Sequence, residues 1–193
     1  MTTKSARFVV VVSVMLFGGL AITNSRGERP VRSDSAVSPF RQRVAAYARL
    51  RQRIINDLRE MGIDPAADDG REFRSRLGLA IREARRQARP GEIFCLEVAG
   101  PMRLMVWNTL QGADDILSEV PEVASVRVND FYPEGEPLAT VPPSLLQRLD
   151  PLPQELQYRF LATSLILLDV DASLIVDFIP DAFQRSSLTG RTP

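Results

Sequence analysis

The chain has 193 residues, of which 45% are hydrophobic and 25% are charged, and its 24 basic residues balance its 24 acidic ones. This length and composition are typical of one globular domain, or one domain with tails, that buries a sizeable core. The sequence has no histidine and one cysteine, Cys95, which excludes a histidine-centred catalytic triad, histidine metal ligands and an intrachain disulfide.

The balanced charge is distributed unevenly along the chain. Residues 1–89 hold 18 basic and 9 acidic residues, whereas residues 90–193 hold 6 basic and 15 acidic residues. Either the basic half docks onto the acidic half within one fold, or the basic half faces an anionic partner. The sequence leaves both interpretations open.

The N-terminal 38 residues predict an export signal followed by a linker. Residues 1–21 have a basic start (Lys4 and Arg7), an apolar run and small residues at a cleavage site, which is typical of a secretory signal peptide. If the segment is kept, its apolar residues 8–22 would anchor the chain in the membrane, although they fall short of the ~20 residues that usually span a bilayer. Residues 22–38 are polar, which is typical of a flexible linker.

A first helix is predicted over residues 39–61, with Ser38 as its N-cap and Pro39 at its first position. One apolar side is expected at helical spacing, formed by Phe40, Val44, Tyr47, Ile54, Ile55, Leu58 and Met61. Arg51 falls inside this apolar side. The simpler interpretation is that its head reaches water at the edge of the core, and the other is a buried ion pair with the acidic half.

A second helix is predicted over residues 71–89, with arginines on one side and apolar residues on the other. The candidate anion-binding residues lie within about 60° of one line on the helical wheel, and they are Arg71, Arg74, Arg82, Arg85, Arg86 and Arg89. These arginines either face solvent or pair with acidic residues of the C-terminal half. Alternatively, they bind acidic lipid headgroups, lipopolysaccharide phosphates or another envelope polyanion.

The middle of the chain predicts shorter elements. Residues 93–111 form either one helix that contains Pro101 or a turn followed by a helix that begins there. A short acidic helix is expected over residues 114–120, a strand over 125–129, a loop after it, and a further short helix over 144–149.

Three short antiparallel strands are predicted at the C-terminal end, over residues 158–161, 165–170 and 174–179, with Pro180 ending the third. Both faces of this sheet are apolar, so each must be covered or offered to a partner. Residues 39–183 are thus expected to form a single α+β domain in which three or four helices pack on a three-stranded antiparallel meander, and residues 184–193 a polar, disordered tail.

Two stretches carry a resemblance. The run LPQELQYRF…LILLDVDASLIVDFIPDAF resembles the C-terminal end of a group of uncharacterised exported bacterial proteins, and AIREARRQARPGEIF looks like another of their shared stretches. The likeness covers residues 142–183 and, more loosely, 79–111. Ala162-Thr163-Ser164 departs from the family's glycine-containing turn. The resemblance implies export and brings no activity, cofactor or catalytic residue.

Carboxylates are the remaining candidates for chemistry. Asp169, Asp171 and Asp177 lie on or beside the last hairpin and are only weakly similar to a set of calcium ligands, because the central glycine and the final glutamate of a calcium loop are missing. Charged residues that mark the ends of a hairpin are the simpler interpretation.

The sequence therefore favours a non-enzymatic, envelope-associated binding or scaffold protein of the bacterial periplasm, without a cofactor. The expected partner is an anionic envelope component or another envelope protein, and not nucleic acid. The alternatives are a carboxylate-based or metal-assisted hydrolase using the three aspartates, or a subunit that binds a partner through its C-terminal sheet.

Overall fold

The computed structural model describes residues 38–184. The expected signal peptide, the linker up to residue 37 and the tail from residue 185 lie outside the described residues. Among those described, the helices α1 to α5 and the strands β1 to β3 follow one another in chain order, so the α+β prediction is confirmed. The helices are α1 Pro39–Glu60, α2 Arg71–Ala84, α3 Leu96–Thr109, α4 Asp114–Ser118 and α5 Pro143–Leu146, and the strands are β1 Leu156–Leu161, β2 Ser164–Asp169 and β3 Leu174–Ile179.

Helix α1 begins and ends close to the predicted positions. The Ser38 hydroxyl accepts a hydrogen bond from the Arg41 backbone N–H at 3.2 Å, which confirms the predicted cap. The apolar side is buried as expected, except that Met61 follows the helix and is 66% exposed. Arg51 is buried in that apolar side.

Helix α2 is five residues shorter than predicted. It ends at Ala84, and residues 85–87 form a turn. The predicted apolar side consists of Phe73, Leu77, Ala80, Ala84 and Ala88. The buried residues are instead Phe73, Leu77, Gly78 and Ile81, so the buried side is rotated relative to the predicted one. Ala84, which the helical wheel places on the apolar side, is exposed.

Helix α3 contains Pro101 in its interior, which supports the interpretation of one helix and not of a helix that begins at Pro101. Helices α4 and α5 overlap the predicted short helices but are shorter. None of the helices in residues 38–184 is both long and apolar enough to cross a membrane.

The three strands form one antiparallel sheet in the order β1-β2-β3. Leu167 pairs with Tyr158 on one side and with Asp177 on the other, and a register shift follows between Leu167 and Leu168. In the turn between β1 and β2, Ala162 has a φ of 52°. Glycine adopts this conformation more readily than alanine does.

Both faces of the sheet are covered. Leu165, Leu167 and Val176 belong to the main buried cluster, which also contains the apolar sides of α1, α2 and α3. On the other face, a smaller buried cluster consists of Leu161, Ile166, Leu168 and Ile175, with Val123, Val126, Tyr132 and Phe178 packed against it.

The predicted strand at residues 125–129 does not form, and the pairing occurs a few residues later. The backbone N–H of Asn129 donates to the Ile175 carbonyl, and the Ile175 N–H donates to the Asp130 carbonyl. The Tyr132 N–H donates to the Ser173 carbonyl. This segment covers the outer edge of β3 at its N-terminal end. It also brings residues 131–138 against α2.

Candidate functional site

Arg51 forms a buried ion pair with Asp169, which corrects the simpler interpretation that its head reaches water. The Arg51 Nε donates to Asp169 Oδ2 at 2.8 Å, and these side chains are 9% and 0% exposed. A second guanidinium nitrogen of Arg51 bonds Asp171, whose side chain is 55% exposed. The basic N-terminal half and the acidic C-terminal half therefore meet inside the fold at this point.

Tyr47 completes this buried group. Its hydroxyl donates to the same Asp169 oxygen at 2.7 Å. Burial, followed by the neighbouring Asp169 carboxylate, raises the pKa of Tyr47 well above its usual value. Tyr47 consequently stays protonated and acts as a donor that holds α1 to the end of β2.

Arg85 is buried and bonded within the fold, so it does not belong to an exposed anion-binding face. Its guanidinium donates to Asn129 Oδ1 and to the Val176 carbonyl, each at 3.0 Å, and to Glu92 Oε2 at 2.9 Å. The same group lies over the Tyr47 ring, 5.3 Å from its centroid. Arg85 follows the buried Ile81 by four residues and the buried Gly78 by seven, so it continues the buried side of α2.

Asp177 is also occupied by structural bonds. The carboxylate is fully buried and accepts hydrogen bonds from the backbone N–H groups of Gly91, Ile93 and Phe94 at 2.6 to 2.9 Å. These bonds attach the segment before α3 to β3.

The three candidate metal-binding aspartates are already bonded to donors of the protein, and Asp169 and Asp171 share one of them, Arg51. Asp169 bonds α1, Asp171 reaches Arg51 from the surface, and Asp177 accepts from residues 91–94. Within the described part of the chain, no group of three or more acidic or cysteine side chains is arranged to hold a metal ion. The geometry of these residues thus does not support a calcium site.

The remaining arginines of the candidate set are exposed. They are Arg71, Arg74, Arg82, Arg86 and Arg89. Arg86 pairs with Glu83 at 2.9 Å, but both side chains are more than 70% exposed, and a pair of this kind contributes little stability. The other four form no ion pair with any described side chain.

The row of arginines on α2 is interrupted by an aromatic ring. Gly78 lies four residues from both Arg74 and Arg82, and a Cβ atom at Gly78 would be 2.7 Å from the Phe131 ring and 2.7 Å from the Ala172 carbonyl oxygen. The Arg82 guanidinium lies 5.6 Å from the centre of the same ring. Phe131 thus crosses α2 in the gap that the absent Gly78 side chain leaves.

Two grooves flank these arginines. The first, of about 770 Å³, lies between α1 and the turn after α2, and Arg43, Arg85, Arg86 and Glu92 are among its lining residues. The second, of about 710 Å³, lies between α2, residues 131–138 and the turn between β2 and β3. We call the second one the Phe131 groove. Its lining residues include Arg71, Arg74, Leu79, Phe131, Glu134, Leu138, Asp171 and Ser173.

Phe131 and Leu138 are site residues that the sequence does not reveal, because both fall in a stretch that predicts only a loop. The one signal is the Phe131-Tyr132 pair within a loop rich in proline and glutamate. Cys95 is buried, and its burial raises the pKa of the thiol, which suits a packed residue better than a nucleophile.

No family model, curated protein or solved structure matches this chain. The interpretation of the site therefore depends on its residues alone.

Proposed function

We propose that the protein is an exported, non-enzymatic binding or scaffold protein of the bacterial envelope that holds an anionic partner through the exposed arginines of α2 and the turn after it. The observation that supports this most is that Arg71, Arg74, Arg82 and Arg89 are exposed without an ion-pair partner among the described side chains. We define these four residues, together with Arg86, as the arginine surface.

The choice of an anionic partner follows from the chemistry of the guanidinium group. Arginine presents a planar set of donors that matches two oxygens of a phosphate or carboxylate. Since Arg51 and Arg85 already have buried partners, they are not part of this surface. The surface is smaller than the six-arginine face that the sequence predicts, but its charge is still available to a partner.

The proposed location depends on the sequence of the N-terminal segment. The basic start, apolar run and small residues of positions 1–21 favour export, with the periplasm as the compartment. Retention of the segment would instead anchor the protein through residues 8–22, facing the periplasm. Phosphate-bearing lipid headgroups are the anions that such a location supplies in quantity.

A binding role is also supported by how the acidic residues are used. Asp169 and Asp177 are fully buried and bonded to α1 and to residues 91–94, which leaves them unsuited to activate water. A sheet-mediated interaction is disfavoured because Ile166, Leu168 and Ile175, on the face away from the helices, are at most 2% exposed.

Co-sedimentation with lipid vesicles tests the proposal. The chain from residue 22 onward, which is the form left by the expected cleavage, is mixed with anionic or neutral vesicles over a salt series. We expect pelleting with anionic vesicles at low salt, weakening as salt screens the charges. The triple variant Arg82→Gln/Arg86→Gln/Arg89→Gln should lose most of this binding.

A charge-matched control distinguishes binding by the arginine surface from a nonspecific attraction of any exposed arginine to the anionic vesicles. Arg49, Arg53 and Arg59 are exposed on α1, and replacing all three with glutamine removes the same number of charges. This control should retain most of the binding. Equal losses in the two triple variants, or equal pelleting with neutral vesicles, would contradict the proposal.

A further inference from the structure

The Phe131 groove combines exposed apolar side chains with arginines. Leu79 is 53% exposed, Leu138 is 46% exposed and Phe131 is 37% exposed, and all three line the groove. Large apolar side chains gathered in a concave surface are typical of a ligand site, because exposing them together to water is unfavourable.

The charges of the groove are concentrated on the α2 wall. Arg71 and Arg74 line it, and Arg82 lies over the Phe131 ring next to it. Asp171 also lines the groove, but its carboxylate is bonded to Arg51. Among the described lining side chains, Glu134 provides the other negative charge, on the loop opposite. An anionic group is therefore attracted to the α2 wall, while an apolar group fits against Phe131 and Leu138.

The bonding of the surrounding backbone favours a lipid over a peptide. A peptide bound in extended form needs strand-edge donors and acceptors along its length. Next to the groove, the N–H of Tyr132 and the carbonyl of Ser173 bond to each other. Phe131 pairs with Leu174 in the same bridge. An acyl chain needs no such partners.

We propose that the Phe131 groove binds one lipid molecule, with its acyl chain against Leu79, Phe131 and Leu138 and its anionic headgroup at Arg71 and Arg74. This inference rests on the proposed function, since it specifies the class of anion that part of the arginine surface binds. The lipid binds as a single molecule in the groove, in addition to any contact with a membrane surface.

Titration with a fluorescent long-chain fatty acid, below the concentration at which it forms micelles, tests this inference. We expect saturable binding of one molecule per chain. The variant Leu79→Ser/Leu138→Ser removes apolar contact with the acyl chain, and Arg71→Gln/Arg74→Gln removes the charges that contact the headgroup. Each variant should weaken binding of the probe about tenfold or more. Ten-fold corresponds to ~1.4 kcal/mol. The methyl ester of the probe should bind more weakly than the carboxylate.

Matched controls replace side chains of the same type elsewhere. Leu104 is 61% exposed on α3, and Arg49 and Arg53 are exposed on α1. The variants Leu104→Ser and Arg49→Gln/Arg53→Gln should bind the probe as the parent does. Thermal melting of every variant checks that the fold is retained.

Three results would overturn the inference. The first is the absence of saturable binding, and the second is unchanged binding in either groove variant. The third is displacement of the probe by an acidic amphipathic peptide but not by unlabelled fatty acid, which would make the groove a peptide site. If the probe fails to bind while anionic vesicles still sediment the parent but not the Arg82/Arg86/Arg89 variant, the lipid inference fails and the proposed function stands.

Discussion

Tyr47 lies between two buried arginines, and this group connects the helices to the sheet. Arg51 shares the Asp169 carboxylate with the Tyr47 hydroxyl, and Arg85 lies over the Tyr47 ring. A buried guanidinium is tolerated only when a carboxylate and further acceptors compensate for its lost hydration. Arg51 and Arg85 therefore serve the fold, although their residue type alone suggests a binding surface.

Replacing Asp169 with asparagine should destabilise the fold strongly. Arg51 would lose its buried counter-charge and keep only the half-exposed Asp171, and removing one partner of a buried pair typically costs about 3 to 5 kcal/mol of unfolding free energy. Urea denaturation of Asp169→Asn should show a midpoint well below that of the parent, with a similar slope.

Asp171→Asn provides the comparison, because Asp171 is 55% exposed and bonds the same arginine. Its cost should stay within about 1 kcal/mol, as is usual for an exposed partner. If the two variants had equal midpoints, Asp169 would not be the principal counter-charge of Arg51.

At the scale of the elements, one side of α2 both exposes arginines and packs against Phe131. Arg71, Arg74 and Arg82 extend outward from it, yet Gly78, at the same helical spacing, is buried under Phe131. The close approach of Phe131 is possible because glycine has no side chain at that point. The Phe131 groove therefore depends on this glycine as much as on its arginines.

Gly78→Ala should lower stability, although alanine is the better helix former by about 1 kcal/mol. The added Cβ would lie 2.7 Å from the Ala172 carbonyl oxygen, a backbone atom that cannot move without disturbing the turn between β2 and β3. Thermal unfolding of the variant should therefore show a lower midpoint.

Ser75→Ala is the control on the same helix. Ser75 is exposed, so alanine there should be neutral or raise the free energy of unfolding by a few tenths of a kcal/mol through helix propensity alone. Stabilisation by both substitutions would mean that Phe131 and Ala172 do not pack against α2 as closely as described.

The elements themselves were largely predictable, because each has a strong local signal. Ser38 and Pro39 mark the start of α1, and apolar runs separated by turn residues mark the three strands. The end of α2 was not predictable, since neither glycine nor proline stands at Ala84 or Arg85. The burial of Arg85 was not predictable either, because it follows from the rotated buried side of α2, on which Ile81 precedes it by four residues.

The candidate site was only partly predictable for a related reason. The exposed arginines were visible in the sequence, but the contact of Phe131 with Gly78 joins residues more than 50 positions apart. It depends on the pairing of residues 129–132 with β3. Residues 129–132 show no alternation of apolar and polar residues that would predict this pairing. For Arg51, the sequence raised the buried ion pair as the alternative to a head that reaches water, and the structure shows the ion pair.

At the scale of the whole molecule, the uneven charge is partly used within the fold. Arg51 bonds Asp169 and Asp171, and Arg41 bonds Asp150 at 2.7 Å. Among the described side chains, the arginine surface forms one ion pair, the exposed pair of Arg86 with Glu83. Most of its positive charge is therefore not compensated within the fold. Docking of the basic half onto the acidic half therefore holds for Arg41 and Arg51, whereas an anionic partner of the arginine surface stays a proposal.

The free energy of unfolding should fall as pH rises above about 10. All three tyrosines, Tyr47, Tyr132 and Tyr158, have a pKa raised above the usual value near 10, mainly by burial. Above that pH the unfolded chain loses tyrosine protons that the folded chain keeps, so unfolding becomes more favourable. Below pH 10 this contribution to stability is fully present.

Urea midpoints measured between pH 9 and pH 11.5 check this expectation. The double variant Tyr47→Phe/Tyr158→Phe should be less sensitive to pH over that range than the parent, because phenylalanine does not ionise. If the parent and the double variant had the same slope with pH, burial would not be protecting these hydroxyls.

Hydrogen exchange of the chain from residue 22 onward, with and without anionic vesicles, tests most directly whether the arginine surface is the binding surface. We expect slower exchange on vesicle binding in residues 85–92, which follow α2, and in the loop at residues 131–138. Protection should be lost in the Arg82→Gln/Arg86→Gln/Arg89→Gln variant. Protection confined to α3, where Leu96 is 91% exposed and Leu104 61% exposed, would contradict the account and place the contact on an apolar helix face instead.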